Sequence, residues 1–123
     1  MDEIDNGFNR FYFHDNWSEF CFGPDSSALE LTPVEVIKAV VDTSSKLLIL
    51  NFSKTVTIHP QVLLWIEQLV AYADAKSVRV RAYIPKNKRI GRLLKLMHYD
   101  RFLIISNSLE ELLEPNFIRK IAF

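Results

Sequence analysis

The side chains best equipped for chemistry in this chain are three histidines, His14, His59 and His98, and one cysteine, Cys21. No histidine stands at metal-ligand spacing from another, and a single cysteine forms neither an internal disulfide nor a multi-cysteine zinc site. Cys21 falls in an alternating strand pattern and reads as a small structural residue. The chain has no G-x-S-x-G, no G-x-G-x-x-G and no P-loop, so hydrolase, dinucleotide and NTPase motifs are lacking. These residues point away from an enzyme, and they imply no metal and no cofactor.

Recognition is better represented than catalysis. His59 stands where a strand hands over to a helix opened by Pro60. At about 100° per residue, Val62, Ile66, Leu69, Val70 and Ala73 share the core stripe of that helix, with Leu63 at its margin. Gln61, Trp65, Gln68 and Tyr72 recur along the border of the stripe, and Leu64 lies beside them. Tryptophan and tyrosine dominate interface anchors, so His59, Gln61, Leu64, Trp65, Gln68 and Tyr72 form a candidate strip for a protein partner. The competing reading puts Trp65 and Tyr72 at the edge of the core. A second candidate is the basic face of Lys88, Arg92 and Lys95, which is either a solvated surface or a contact for an acidic protein or an anionic membrane.

At 123 residues, with 49% hydrophobic and 24% charged residues, the chain is expected to be one globular domain spanning 1–123. Its formal net charge is zero, but residues 1–35 carry a net −7 and residues 76–101 a net +8. Either the two segments meet and neutralise each other, or they steer a charged partner to one face. Nucleic-acid binding would need aromatics interleaved with the bases, and here the aromatics sit in the acidic half. No signal sequence and no membrane-spanning stretch is visible, so the expectation is a cytoplasmic protein, not an integral membrane one.

The elements that must position these residues follow from pattern. Asn9 to His14 and Ser18 to Phe22 alternate about Asp15-Asn16 and predict a β-hairpin. Gly23-Pro24-Asp25-Ser26-Ser27 is a loop. Thr32, Pro33 and Glu35 make a capping box for a helix running to about Thr43. Lys46 to Phe52 is a continuous apolar run, as suits a strand covered on both faces. The Pro60 helix extends to about Ala75, and Val78 to Ile84 is a β-branched strand in which Arg79 and Arg81 alternate against Val78, Val80 and Ala82. A helix over 88–97, a strand over 102–105 and a helix capped by Ser108 complete an α/β order. The tail from Pro115 to Phe123 places Phe117, Ile118, Ile121 and Phe123 at helical spacing, for closure over the core or for self-association.

Three stretches resemble the STAS domain, the sulphate-transporter and anti-sigma-factor-antagonist family. Leu48 to Leu63 lies without a gap on the family's strand, turn and D-S-S-G helix start. Ile90 to Phe102 resembles its third helix and exit, and Ser108-Leu109-Glu110-Glu111-Leu112-Leu113 its closing helix start. The likeness is strongest over 46–113, with 114–123 as an extension. It implies a STAS-like (SpoIIAA-like) layer fold, with a mixed central sheet and helices packed mainly on one face. It also implies a bacterial, non-catalytic interaction module whose partner is an anti-sigma-factor kinase, a scaffold or a transport ATPase. The alternative is a small-molecule or lipid-binding domain, such as an accessory subunit of a lipid transport complex. On the family pattern His59 stands for the aspartate, Pro60 for the first serine, Gln61 for the phosphorylated serine and Val62 for the glycine. Gln61 accepts no phosphate, so the family's switch does not carry over at that position.

Overall fold

The computed structural model describes residues 3–6, 9–24, 30–86 and 88–114. The expected loop residues 25–27 and the apolar tail 115–123 lie outside the described residues. Six strands form one sheet in chain order: β1 (Glu3–Asn6), β2 (Asn9–Phe13), β3 (Ser18–Cys21), β4 (Leu47–Asn51), β5 (Arg79–Tyr83) and β6 (Ile104–Ser106). The first three pair antiparallel, and β3 to β6 run parallel. The helices are α1 (Pro33–Asp42), α2 (Pro60–Ala75), α3 (Arg89–Leu96) and α4 (Leu109–Leu112), with a single 3-10 turn at Tyr99–Arg101. This is the expected mixed α/β sheet, with one strand more than the pattern predicts. The added strand, β1, holds Ile4 among Glu3, Asp5 and Asn6, residue types that strands disfavour. It pairs antiparallel with β2 at one end of the strand order.

Burial follows the two-residue period of the strands. Phe11, Phe20, Leu48, Leu50, Val80, Ala82 and Ile105 point into one core with Val36, Ile37 and Val40 of α1 and Val62, Ile66, Leu69 and Ala73 of α2. Val70, expected in the same stripe, is half-buried against this core. Ile49 alternates with Leu48 and Leu50, and it is fully buried outside that cluster, on the opposite face of the sheet. On this second face Arg81 is also buried, and its guanidinium donates to the Leu112 carbonyl and, at 2.8 Å, to the Glu114 carbonyl. A cation thus satisfies carbonyls at the C-terminal end of α4, the end that the helix dipole makes negative.

Sheet order also sets the two charged segments apart. The acidic segment supplies β1 to β3 and the basic segment supplies β5 and α3, on opposite sides of β4. Charge is therefore separated across the sheet.

Three helices end without glycine in the left-handed region. Ser44, Ser77 and His98 take φ of 63°, 59° and 63°. After α2, the Ser77 N–H donates to Asp74 O at 3.2 Å and Val78 N–H to Ala73 O at 2.9 Å, the paired bonds of a Schellman end. A left-handed non-glycine residue costs about 1–2 kcal/mol, and glycine's extra chain freedom returns about 0.5–1. Ser77→Gly is therefore expected to stabilise the fold by roughly 0.5–1 kcal/mol, read as a rise in the thermal or urea midpoint.

Candidate functional site

The loop between β4 and α2 is tied down by backbone hydrogen bonds. Val56 and Thr57 donate their N–H groups to the Pro24 carbonyl at 2.9 and 3.1 Å, tying the loop to the exit of β3. His59 is the N-cap, extended at φ −79° and ψ 145°, and it makes no side-chain capping bond; Pro60 takes the first helical position. His59 and Gln61 are exposed, and so are Leu64 and Gln68 further along α2. Leu64 is 56% exposed, a large apolar side chain offered to solvent at the start of a fixed helix.

Trp65 does not join them. It is 7% exposed, and its indole packs on Phe20 and Phe22 with ring centroids 5.2 and 5.8 Å away. Its Nε1–H donates to the Leu31 carbonyl at 2.9 Å, which satisfies the one polar atom the ring takes into the core. The expected exposed strip is thus split. Trp65 stands three residues after Val62 and four before Leu69, so it belongs to their stripe as much as to the border. Tyr72 is half-buried against the core, with Lys76 Nζ 5.7 Å from its ring centroid. What remains outward is His59, Gln61, Leu64 and Gln68.

A neighbouring apolar ridge was not legible as a site in the sequence. Leu93, Leu96 and Met97, spaced along one side of α3 and its end, are exposed, as is Phe102. Phe102 packs against Tyr99, with centroids 5.0 Å apart. Tyr99 in turn donates to the Leu63 carbonyl at 3.2 Å and to Glu67 Oε2 at 2.9 Å, locking this corner to α2. The only available signal was the apolar residues of 93–102 left over once Ile90, Leu94 and Leu103 are assigned to the core.

The basic residues do gather. Lys88, Arg92 and Lys95 line an open cleft of about 610 Å³ between α3 and the ends of β5 and β6. Lys88 Nζ also donates to the Thr55 carbonyl at 3.4 Å, next to the β4–α2 loop.

The remaining reactive groups are held in structural roles. Cys21 Sγ donates to Glu19 Oε2 at 3.3 Å, and burial, reinforced by the Glu19 carboxylate, pushes its pKa up to about 12. The group is a thiol at neutral pH, unsuited to nucleophilic attack. The same Glu19 carboxylate accepts from Asn51 Nδ2 at 2.6 Å and pairs with His14 Nε2 at 3.0 Å, while the His14 ring stacks on Trp17. Among the described residues no cluster of histidine, cysteine and carboxylate side chains is placed to hold a metal ion.

Sheet order and helix placement define a mixed α/β layer fold. Two solved structures share the fold. The NMR structure of the protein TM1081 matches with a TM-score of 0.71 at 17% identity, covering 85% of this chain and 85% of that one. The crystal structure of an anti-sigma factor antagonist from Mycobacterium paratuberculosis matches with a TM-score of 0.54 at 19% identity, covering 85% of this chain and 89% of that one. At these identities the likeness is one of fold. No protein-family model and no curated protein matches the chain.

Two measurements check this geometry. Trp65→Ala is expected to cost about 3–5 kcal/mol, through the cavity and the orphaned Leu31 carbonyl. An unchanged melting temperature would put the indole outside the core. The second concerns Tyr99, whose phenol is pushed from its ordinary 10.0 up to about 12 by burial first and the Glu67 carboxylate second. The neutral phenol is the form the fold favours, so its contribution is complete below pH 10 and is lost as pH rises through about 12. Ultraviolet titration should show a tyrosine ionising near 12 that disappears in Tyr99→Phe.

Proposed function

We propose that this chain is a non-catalytic protein-interaction module that works as anti-sigma-factor antagonists do, without the phosphorylated serine. The observation that carries the reading is the outward row of His59, Gln61, Leu64 and Gln68 on a helix start held rigid by its loop and by Trp65. Leu64 is the apolar centre of the surface, and the ridge of Leu96, Met97 and Phe102 extends it across the corner that Tyr99 ties to α2. Trp65 and Tyr72 act from behind, fixing the angle at which the row is offered.

The match to an anti-sigma factor antagonist supports a protein partner, and the resemblance implies an anti-sigma-factor kinase, a signalling scaffold or the ATPase of a transport complex. With Gln61 in the phosphoserine position, docking is constitutive at this helix start. Thr55 is buried, so among the neighbouring hydroxyls only half-buried Ser53 and exposed Thr57 are open to a modifying enzyme. No helix among the described residues is long and apolar enough to cross a membrane.

The test uses the partner recovered from the source cell with the full chain as bait, then purified and titrated. Leu64→Asp is expected to leave the melting temperature nearly unchanged, because the side chain is already in water. It should weaken binding by about thirtyfold or more, the effect of an interface-centre residue worth ~2 kcal/mol. Gln61→Asp, which puts negative charge where the family carries phosphate, should also weaken it. Undiminished affinity in both variants would move the docking surface away from α2.

A further inference from the structure

We infer that the cleft between α3 and the ends of β5 and β6 binds a small ligand bearing clustered phosphoryl groups. The cleft holds about 610 Å³, inside the ~300–1,000 Å³ range of small-molecule sites. Its position is the one open α/β sheets use for ligands, outside the carboxyl ends of parallel strands. Lys86 follows β5 and Asn107 follows β6, two neighbouring parallel strands, and both residues line it.

Charge selects the class of ligand. Lys86, Lys88, Arg92 and Lys95 face the cleft, against the single carboxylate of Glu111. Glu111 Oε2 already accepts from Ser106 Oγ at 3.3 Å. Among the described residues no carboxylate pairs with Lys86, Arg92 or Lys95. Four cations along one concavity repel one another, and apolar walls strengthen their field. Here Ile84 and Ile105, both nearly fully buried, form such walls. Arg92 and Lys95 stand three residues apart on α3, neighbours of like charge on one helix face. An anion with more than one charge in a small volume relieves all of this at once. A phosphoryl group brings about −1.5 to −2 charges, and the guanidinium fork of Arg92 suits its oxygens. A soluble phosphoanion and a phosphorylated lipid headgroup share this chemistry. The cleft has no residue in common with the α2 row, so either assignment can fail without the other.

The experiment titrates the isotope-labelled full chain with inorganic pyrophosphate at constant ionic strength, with sulfate as the comparison anion. A second arm measures sedimentation with phosphatidylcholine vesicles, alone, with phosphatidylinositol phosphate, or with phosphatidylserine. Saturable amide shifts confined to the cleft are expected with pyrophosphate. Arg92→Glu/Lys95→Glu should weaken binding by about tenfold or more, whereas Lys38→Glu/Lys76→Glu, with the same change in net charge, should not. Both pairs are exposed, and Arg92→Gln/Lys95→Gln reads the same loss should charge reversal disturb the fold. Pyrophosphate binding without vesicle binding identifies a soluble ligand. Cleft-dependent binding to phosphatidylinositol phosphate vesicles identifies a headgroup. The proposal is overturned by absence of saturable binding in both arms, by shifts scattered over the surface, or by equal weakening in both double variants. Equal binding to phosphatidylserine vesicles without pyrophosphate binding also overturns it, in favour of a general membrane contact.

Discussion

Leu48, Ile49 and Leu50 are consecutive and none is exposed, so β4 must be covered on both faces. At roughly 25 cal/mol per Å² of apolar surface, opening either face would remove a large share of a domain's net stability. One cover is the layer of α1 and α2, which meets Leu48 and Leu50. On the other face Ile49 is registered beside Arg81, whose guanidinium holds the end of α4. The chain thus needs helices that cross over between parallel strands, and the long crossover after β4 is α2. The exposed helix start that carries the docking row is a by-product of burying the strand before it.

The same constraint explains why the outward row is narrow. α2 lies against α1 as well as the sheet, and an indole filling the space beside Phe20 and Phe22 leaves only part of the circumference to solvent. The bond from Trp65 to the Leu31 carbonyl anchors α2 to the approach to α1. The row faces outward because the aromatic residue beside it faces in. Beyond β5 the strand ends leave a cleft where four bases face the one carboxylate of Glu111.

Much of this architecture was legible where local chemistry and tertiary need agree. Thr32, Pro33 and Glu35 announce α1, and both halves of the capping box are present, Thr32 Oγ1 accepting at 3.1 Å and Glu35 Oε1 at 2.9 Å. Pro60 and Ser108 mark two more helix starts within a residue of the observed ones. Legibility failed where a residue's fate is set by a distant partner. Trp65 sits between two stripes on the helical wheel, and only Phe20, Phe22 and Leu31 decide which it joins. Arg81 alternates with apolar residues as a solvent-facing strand residue would, yet the end of α4 buries it. β1 was missed because its pairing with β2, not its composition, makes it a strand. Of the candidate site, Lys88, Arg92 and Lys95 line one cleft, Trp65 and Tyr72 turn inward from the α2 strip, and the ridge of Leu93, Leu96, Met97 and Phe102 went unread.

The strand order has a bearing on how the chain comes to be made. Because β1 to β6 lie side by side in the order in which they occur in the sequence, no later strand has to push between two that are already paired. A polypeptide emerging from the ribosome can lay down the hairpin first and then extend the sheet at one growing edge, each crossover helix covering the strand just added. The last of these edges to gain its neighbour is that of β5, whose partner strand is only three residues long. During synthesis that row of unpaired amides, flanked by Arg79, Lys86 and Lys88, would repel a second nascent copy by charge until β6 arrives.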